Sequence, residues 1–220
     1  MIGIFACLRN TIYLDGAAAN LRKQVKLHKP SIEIKGIEKC NDAQRLSILD
    51  IRNQDSVRLA MYETHVISVD EHLSWLARIH QDASIQVFVI FLSGEVIGAV
   101  SVSKIDLRHR SADWAFYLSV EARGGIGRII EYSTLNYVMN DLKLEKLNCE
   151  VLEFNEAVVS LHMNFGFEHE GTKRNEKLRD KERINVVLLG ITSDEWHAVK
   201  PKVEEQHLDL FDRYDVSWVA

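Results

Sequence analysis

The chain of 220 residues is 46% hydrophobic and 27% charged, a composition that suits one globular domain with a substantial core. The chain has 27 Lys and Arg residues and 32 Asp and Glu residues. The resulting net charge of -5 argues against a nucleic-acid-binding protein. The three cysteines have no CxxC spacing, which predicts reduced thiols in a cytoplasmic protein and no metal. No apolar run is long enough to cross a bilayer, so no membrane partner is expected.

The first part of the chain predicts one extension, one strand and two helices. Residues 1–30 have weak periodicity and are interpreted as an N-terminal extension whose order the pattern does not define. Residues 31–37 alternate apolar and polar side chains, which predicts a strand. Helices are expected after Asn41 and after Ser68, where Ser68 and Glu71 have the spacing of a capping box.

The middle of the chain predicts a sheet that is covered on both faces. Apolar runs at 87–92 and 96–102 flank a Ser-Gly turn, which indicates a β-hairpin, and residues 112–120 supply a third strand. Because the hairpin strands are apolar throughout rather than alternating, helices are expected on both sides of them.

The second half alternates helices and strands after a glycine-rich loop. A helix follows the loop, then come a strand at 147–151, a short helix at 155–165, and strands at 167–178 and 184–191. The order predicts an α+β domain over residues 31–195, with a mixed, mostly antiparallel sheet of about seven strands flanked by helices. Residues 196–220 are expected to form a helical tail.

Three glycines and two arginines lie within residues 123–128, directly before a helix. Glycines let a ligand approach the backbone closely, and the helix N-terminus favours a negative charge, so the loop predicts a pyrophosphate site. The glycine spacing fits neither the P-loop nor the dinucleotide fingerprint. A tight turn without a ligand remains the alternative.

Two segments resemble the GNAT superfamily of acetyl-CoA-dependent N-acetyltransferases. Residues 122–127, ARGGIG, resemble its [Q/R]-x-x-G-x-[G/A] loop, although Ala122 stands where Gln or Arg is usual. Residues 155–167 resemble its N-x-x-A-x-x-L-Y-x-x-x-G-F segment, with one extra residue after the alanine. The resemblance covers about residues 31–192 and implies the GNAT fold.

The resemblance also implies acetyl-CoA as co-substrate and a set of residues that bind it. The strand before the loop would hold the pantetheine arm, and the loop would hold the pyrophosphate. The residues implied to bind acetyl-CoA are Leu118, Ser119, Val120, Arg123, Gly124, Gly125, Ile126, Gly127, Arg128 and Asn155.

The expected chemistry needs a proton donor for the leaving thiolate and a neutral attacking amine. His162 takes the position of the family's tyrosine and is the candidate general acid, the alternative being that it only packs or contacts CoA. Asp113 is the candidate base, acting directly or through water, the alternative being a solvated carboxylate. Glu150 and Glu153 are weaker candidates for that base.

The acceptor site is expected beside the first helices. The segment from Arg52 to Trp75 resembles the R-N…M…I-S-x-x-E-H pattern of the nucleotide-sugar N-acetyltransferases of pseudaminic acid biosynthesis. That resemblance implies acetylation, in a ternary complex, of the 4-amino group of UDP-4-amino-4,6-dideoxy-N-acetyl-β-L-altrosamine. The candidate substrate-binding residues are Arg52, Asn53, Tyr62, His65 and His72.

Two other functions stay open at this point. An N-terminal protein acetyltransferase of the ribosomal-protein type has a similar R-N segment. A non-catalytic acyl-CoA-binding sensor is kept open by Ala122 and by the missing tyrosine. A homodimer is one assembly that the sequence leaves open.

Overall fold

The computed structural model describes residues 29–122 and 124–220, which form one eight-stranded sheet with helices on both faces. The strands are β1 (Ser31–Gly36), β2 (Gln86–Leu92), β3 (Glu95–Asp106), β4 (Ser111–Leu118), β5 (Lys146–Leu152), β6 (Glu168–Arg179), β7 (Glu182–Thr192) and β8 (Asp215–Val219). The helices are α1 (Asp42–Asn53), α2 (Asp55–Arg58), α3 (Val69–Ile79), α4 (Ile126–Asn136), α5 (Glu156–Asn164) and α6 (Ser193–Phe211). The predicted N-terminal extension lies, up to residue 28, outside the described residues.

The sheet is mixed and mostly antiparallel, as predicted, and its strand order is β6-β7-β5-β4-β3-β2-β1-β8. Two neighbouring pairs, β4 with β5 and β1 with β8, are parallel, and the other pairs are antiparallel. The eighth strand comes from residues 196–220, which were expected to be helical. Residues 215–219 pair with β1 instead, and Trp218 stacks on Tyr137 with ring centroids 4.4 Å apart.

Local sequence signals explain where three of the helices begin. The capping box predicted at Ser68 and Glu71 is confirmed, and Asn41 with Gln44 forms a second one at the start of α1. Thr192 caps α6 in the same way, with Glu195 reaching back to it. Each box pairs N–H groups that the first helical turn leaves without an intrahelical acceptor.

Two hydrophobic cores lie on opposite faces of the sheet. The larger packs α4, α5 and α6 on one face and contains Trp114, Ile130 and Trp196. The smaller packs α1 and α3 on the other face, around Ile48 and Phe91. Trp196 is fully buried, so α6 is part of the domain core rather than a separate tail.

The parallel pair β4–β5 opens into a cleft. Register between these strands covers residues 111–113 and 146–148 and then ends. Beyond that point β4 continues along β3, where the Ser119 N–H donates to Ile97 O at 2.7 Å, while β5 continues along β7 through Leu152. The two strands therefore diverge and leave the carboxyl end of β4 with one open edge.

Candidate active site

A cavity of about 560 Å³ occupies the point where β4 and β5 separate. It reaches both faces of the sheet, because residues from α1 and α2 line one side and residues from α5 line the other. The lining side chains that matter for the chemistry are Arg52, Tyr62, Phe116, Leu118, Glu150, Asn155 and His162. The predicted acceptor side and the predicted CoA side thus meet in one space.

The open edge of β4 offers backbone groups to a ligand. Peptide groups alternate in direction along a strand, and the Ser119 N–H points to β3, so the N–H groups of Phe116 and Leu118 face the cleft. The Val120 N–H donates to the Gln54 side chain at 3.2 Å. Of residues 118–120, Leu118 is therefore the one that lines the cavity with its backbone on the open side.

The glycine loop has the backbone conformation that only glycine adopts at low cost. Gly124 and Gly125 have φ of 80° and 87°, and Gly125 is the N-cap of α4. The first turn of α4 contains no acidic residue, so the positive end of the helix dipole is not neutralised from within its own turn. Arg123, which was predicted to bind acetyl-CoA, lies outside the described residues.

The C-terminal segment packs against this loop. A methyl group on Gly125 would lie 3.1 Å from the Leu210 side chain, and one on Gly124 would lie 3.3 Å from the Tyr214 hydroxyl. The Arg128 guanidinium lies beside Gly125, and the Ile126 side chain is buried. A methyl group on Gly127 would lie 3.7 Å from Leu161 and 3.8 Å from Phe116, which lines the cavity.

His162 lies on α5 in an apolar setting, 3% exposed, and lines the cavity. Its Nδ1 is 2.8 Å from Oε1 of Glu131, a residue of α4 with no exposed surface. Burial raises the pKa of the Glu131 carboxyl, and the neighbouring His162 only partly offsets that effect. The hydrogen bonds found among the described residues leave Nε2 of His162 available to the cavity.

On the acceptor side, Glu150 of β5 is held by two partners. The Tyr62 hydroxyl donates to its Oε2 at 2.6 Å, and Lys173 of β6 donates to its Oε1 at 2.6 Å. Burial acts to raise the pKa of Glu150, but the hydrogen bonds from Lys173 and Tyr62 outweigh it and the pKa falls below its usual value. The cavity therefore contains a carboxylate that is charged at neutral pH.

Arg52 of α1 also lines the cavity. Its Nη2 donates to the Glu63 carbonyl at 3.0 Å. Its Nη1 is sealed from solvent and has no hydrogen-bond partner within residues 29–122 and 124–220. Burial lowers the pKa of this guanidinium, which nevertheless remains a cation at neutral pH.

The structure places four of the predicted site residues outside the lining of the cavity. The Asn53 side chain bridges the backbone of Ile67, and His65 contacts Glu71 at the surface. His72 is buried in the smaller core, with Nε2 2.9 Å from Arg45 O, so it stabilises α1 against α3. Asp113 does not line the cavity. Its carboxylate faces Lys104 Nζ at 2.6 Å and the Asn148 amide at 3.4 Å.

Two residues of the site were not predicted at all. Glu131 is the clearer case, because it lies one helical turn before Leu135 on the apolar face of α4, and a carboxylate at an inward position was a signal in the sequence. Lys173 belongs to a strand rich in charges, and nothing in its local pattern distinguishes it. Pairing of β6 with β7 brings it to Glu150.

Two parallel strands that diverge beside a glycine-capped helix leave a strand edge and a helix N-terminus open to an extended anionic ligand. The model of the "Acetyltransferase (GNAT) domain" family matches residues 37–187. The chain therefore belongs to the GNAT family of N-acetyltransferases, and this confirms the predicted fold and enzyme class. GNAT enzymes use acetyl-CoA.

Relatives and solved structures agree with this assignment. The chain is 25% identical over 136 residues to Acetyltransferase PseH of Campylobacter jejuni subsp. jejuni serotype O:23/36 (strain 81-176), covering 62% of this chain and 84% of that protein. The PseH of serotype O:2 (strain ATCC 700819 / NCTC 11168) is 23% identical over the same length. A spermidine N-acetyltransferase from Vibrio cholerae, solved with CoA and spermine, superposes with a TM-score of 0.70 at 22% identity, over 76% of this chain and 98% of that one.

The described residues contain neither a cluster of metal ligands nor a membrane-spanning helix. No group of three or more His, Cys, Asp or Glu side chains in residues 29–122 and 124–220 is arranged to hold a metal ion. In the same part of the chain, no helix is long and apolar enough to cross a membrane.

Proposed function

We propose that this GNAT enzyme transfers an acetyl group from acetyl-CoA to the 4-amino group of a UDP-linked amino-deoxy sugar, in the biosynthesis of pseudaminic acid. The relatives named PseH support this acceptor, together with the resemblance of the segment from Arg52 to Trp75. The observation that carries the proposal is the pair of opposite charges that line the cavity, Arg52 from α1 and Glu150 from β5.

The residues of the cleft fit acetyl-CoA. Acetyl-CoA supplies the thioester whose acetyl group is transferred. The open N–H groups of Phe116 and Leu118 would hold the extended pantetheine arm, and Asn155 lines the same wall. Gly124 and Gly125, with the start of α4, would receive the pyrophosphate, because their backbone allows close approach and the helix end favours negative charge.

Glu150 is suited to hold the acceptor amine. Its carboxylate is ionised at neutral pH and attracts an ammonium group into the cavity. Tyr62 and Lys173 fix its two oxygens, so the carboxylate cannot rotate away from the cavity. The base predicted at Asp113 stays a prediction, and the position of that side chain outside the cavity supports it less than Glu150.

Arg52 is suited to the diphosphate of the same acceptor. The Arg52 side chain lines the cavity, and a guanidinium attracts phosphate oxygens and forms strong charge-assisted hydrogen bonds with them. An acceptor that carries an amine at one end and a diphosphate at the other would pair with both charges of this half-cavity. A peptide N-terminus would pair with Glu150 alone.

His162 is suited to protonate the leaving thiolate. It belongs to α5 and lines the same cavity as Glu150 of β5. A histidine whose Nδ1 is fixed by Glu131 presents Nε2 in one orientation. The general acid would thus be held by the protein before the substrates bind.

The test is release of free thiol from acetyl-CoA with a panel of acceptors: the 4-amino UDP-sugar, the same sugar without UDP, and N-terminal peptides. Turnover of the UDP-sugar, with at least about a tenfold loss of kcat/KM in Arg52→Gln, supports the proposal. Leu46→Ala, an exposed position on α1, is the matched control. Turnover of peptides alone would make the enzyme an N-terminal acetyltransferase.

Binding of CoA without any turnover would contradict the catalytic proposal and favour the sensor. Isothermal titration with CoA distinguishes this result from a protein that is merely inactive through misfolding. His162→Ala, measured with the best acceptor, then tests the proton donor separately from the acceptor.

A further inference from the structure

We propose that Glu131 is a positioning residue that works with His162 as a two-proton unit, so that a neutral pair delivers a proton to the leaving thiolate. This inference rests on the acid role of His162 in the proposed function. Glu131 lies on α4, the helix whose N-terminus would receive the pyrophosphate. The residue that positions the general acid would therefore belong to the same helix as the cofactor loop.

The geometry of the pair leads to this inference. Glu131 Oε1 and His162 Nδ1 are 2.8 Å apart, both side chains are almost fully buried, and they come from helices α4 and α5. A structural hydrogen bond between two helices needs no ionisable group. Glu131 occupies Nδ1, and His162 lines the cavity, so Nε2 is the ring nitrogen that is left for a ligand there.

The surroundings favour a pair with no net charge. Trp114 and Phe116 of β4, and Phe167 directly before β6, pack around the His162 ring. From β5 comes the Cys149 thiol, whose pKa burial raises, so that it stays neutral. An uncompensated charge in such a site is strongly disfavoured.

A neutral pair carries two protons, one between Glu131 and Nδ1 and one on Nε2. The raised pKa of the buried Glu131 carboxyl agrees with a proton held on its side of the pair at neutral pH. Nε2–H then faces the cavity as a donor. A pair with a net negative charge would hold one proton, and a pair with a net positive charge would hold three.

The transfer balances within the pair. The Nε2–H bond breaks and its proton forms the S–H bond of CoA, while the Glu131 O–H bond breaks and its proton passes to Nδ1. The ring stays neutral, and Glu131 becomes a carboxylate. The proton that the acceptor nitrogen releases on acylation then restores the pair.

Without Glu131 the same ring would be a poor acid. A neutral imidazole that gives up its Nε2 proton without receiving one at Nδ1 becomes an imidazolate anion, which is a high-energy species. Glu131→Gln keeps the shape and can hydrogen-bond Nδ1, but its amide supplies no proton. This variant therefore separates proton supply from packing.

The kinetic test compares Glu131→Gln with the wild type over a range of pH. We expect kcat at neutral pH to fall about 100-fold, with KM for acetyl-CoA within about twofold, and the deficit to shrink as the pH falls and the ring becomes protonated by solvent. Glu204→Gln is the matched control. Glu204 of α6 pairs with Tyr132, which lies on α4 like Glu131, but this pair is away from the cavity. An unchanged kcat and pH profile in Glu131→Gln would overturn the inference.

The double variant Glu131→Gln/His162→Ala shows whether Glu131 acts through His162. We expect it to be no slower than His162→Ala alone. A further loss of kcat in the double variant, with its melting temperature equal to that of His162→Ala, would overturn the inference. Full activity of His162→Ala would instead refute the acid role in the proposed function.

A readout without turnover covers the case in which no acceptor reacts. Imidazole ¹⁵N spectra of the free protein follow the two ring nitrogens of His162 from acidic to alkaline pH. We expect the wild type to switch from Nε2–H to Nδ1–H as the pair loses its proton, and Glu131→Gln to keep Nε2–H over the same range. The same behaviour in both proteins would overturn the inference whatever the acceptor.

Discussion

Tyr62 and Glu150 are joined by a hydrogen bond of 2.6 Å, although 88 positions separate them in the sequence. The bond connects the segment after α2 to β5 across the acceptor half of the cavity. Lys177 lies over the Tyr62 ring at 4.0 Å, so the β6–β7 hairpin fixes the ring from the other side. The carboxylate that would hold the amine is thus positioned by three separate parts of the chain.

Tyr62→Phe removes one of the hydrogen bonds that lower the pKa of Glu150. With that bond lost, the carboxylate takes up a proton at a higher pH. We therefore expect KM for the acceptor to rise about three- to tenfold, and the acidic limb of kcat/KM to move to higher pH. Tyr132→Phe, which breaks a Tyr–Glu pair with Glu204 outside the cavity, is the control. An unshifted acidic limb in Tyr62→Phe would separate Glu150 from amine binding.

Gly125→Ala should damage both folding and cofactor binding. Its φ of 87° is costly for alanine by about 1–2 kcal/mol, and its new methyl group would lie 3.1 Å from Leu210. Gly127→Ala has an ordinary φ and a nearest contact of 3.7 Å, so we expect an unchanged melting temperature but weaker CoA binding. Gly171→Ala, whose nearest contact is 3.8 Å, should change neither property. Thermal melts and CoA titrations of the three variants decide this, and tight CoA binding by Gly127→Ala would argue against close approach at that position.

Most elements of the fold could be predicted from local sequence patterns. The capping box at Ser68, the hairpin and the helix after the glycine loop depend on neighbours in sequence, and each is confirmed in the structure. The strand at 215–219 could not be predicted in the same way, because its partner is β1 at the opposite end of the chain. Pairing with a distant parallel strand leaves no short-range signal.

The site was predicted less completely than the fold, for a related reason. His162, Tyr62 and Arg52 were predicted because they lie in segments that resemble a family, and all three line the cavity. His72 and Asn53 also lie in a segment that resembles the family. The His72 ring instead contacts the Arg45 carbonyl, and the Asn53 side chain binds the backbone of Ile67. A sequence segment indicates proximity, whereas the direction of each side chain depends on tertiary contacts.

Trp196→Ala tests whether α6 belongs to the domain. Trp196 has no exposed surface and contacts Tyr132 of α4 edge to face, with centroids 5.7 Å apart. Removing a side chain of this size from a packed core costs about 3–5 kcal/mol, which we expect in urea unfolding. Leu208→Ala, on the same helix and 59% exposed, should change the free energy of unfolding by less than about 1 kcal/mol. A small effect at Trp196 would mean that α6 docks only loosely.

Asp113→Asn and Glu150→Gln separate the two candidate carboxylates. Glu150 lines the cavity, so its loss should raise KM for the acceptor about tenfold or more. Asp113 faces Lys104 outside the cavity, so its amide variant should keep kcat/KM within about twofold. Lys104→Met is the companion control, because it removes the same ion pair without touching the carboxylate. A general base contributes about 100-fold or more to the rate, so a loss of that size in Asp113→Asn, with Lys104→Met still active, would make Asp113 the base.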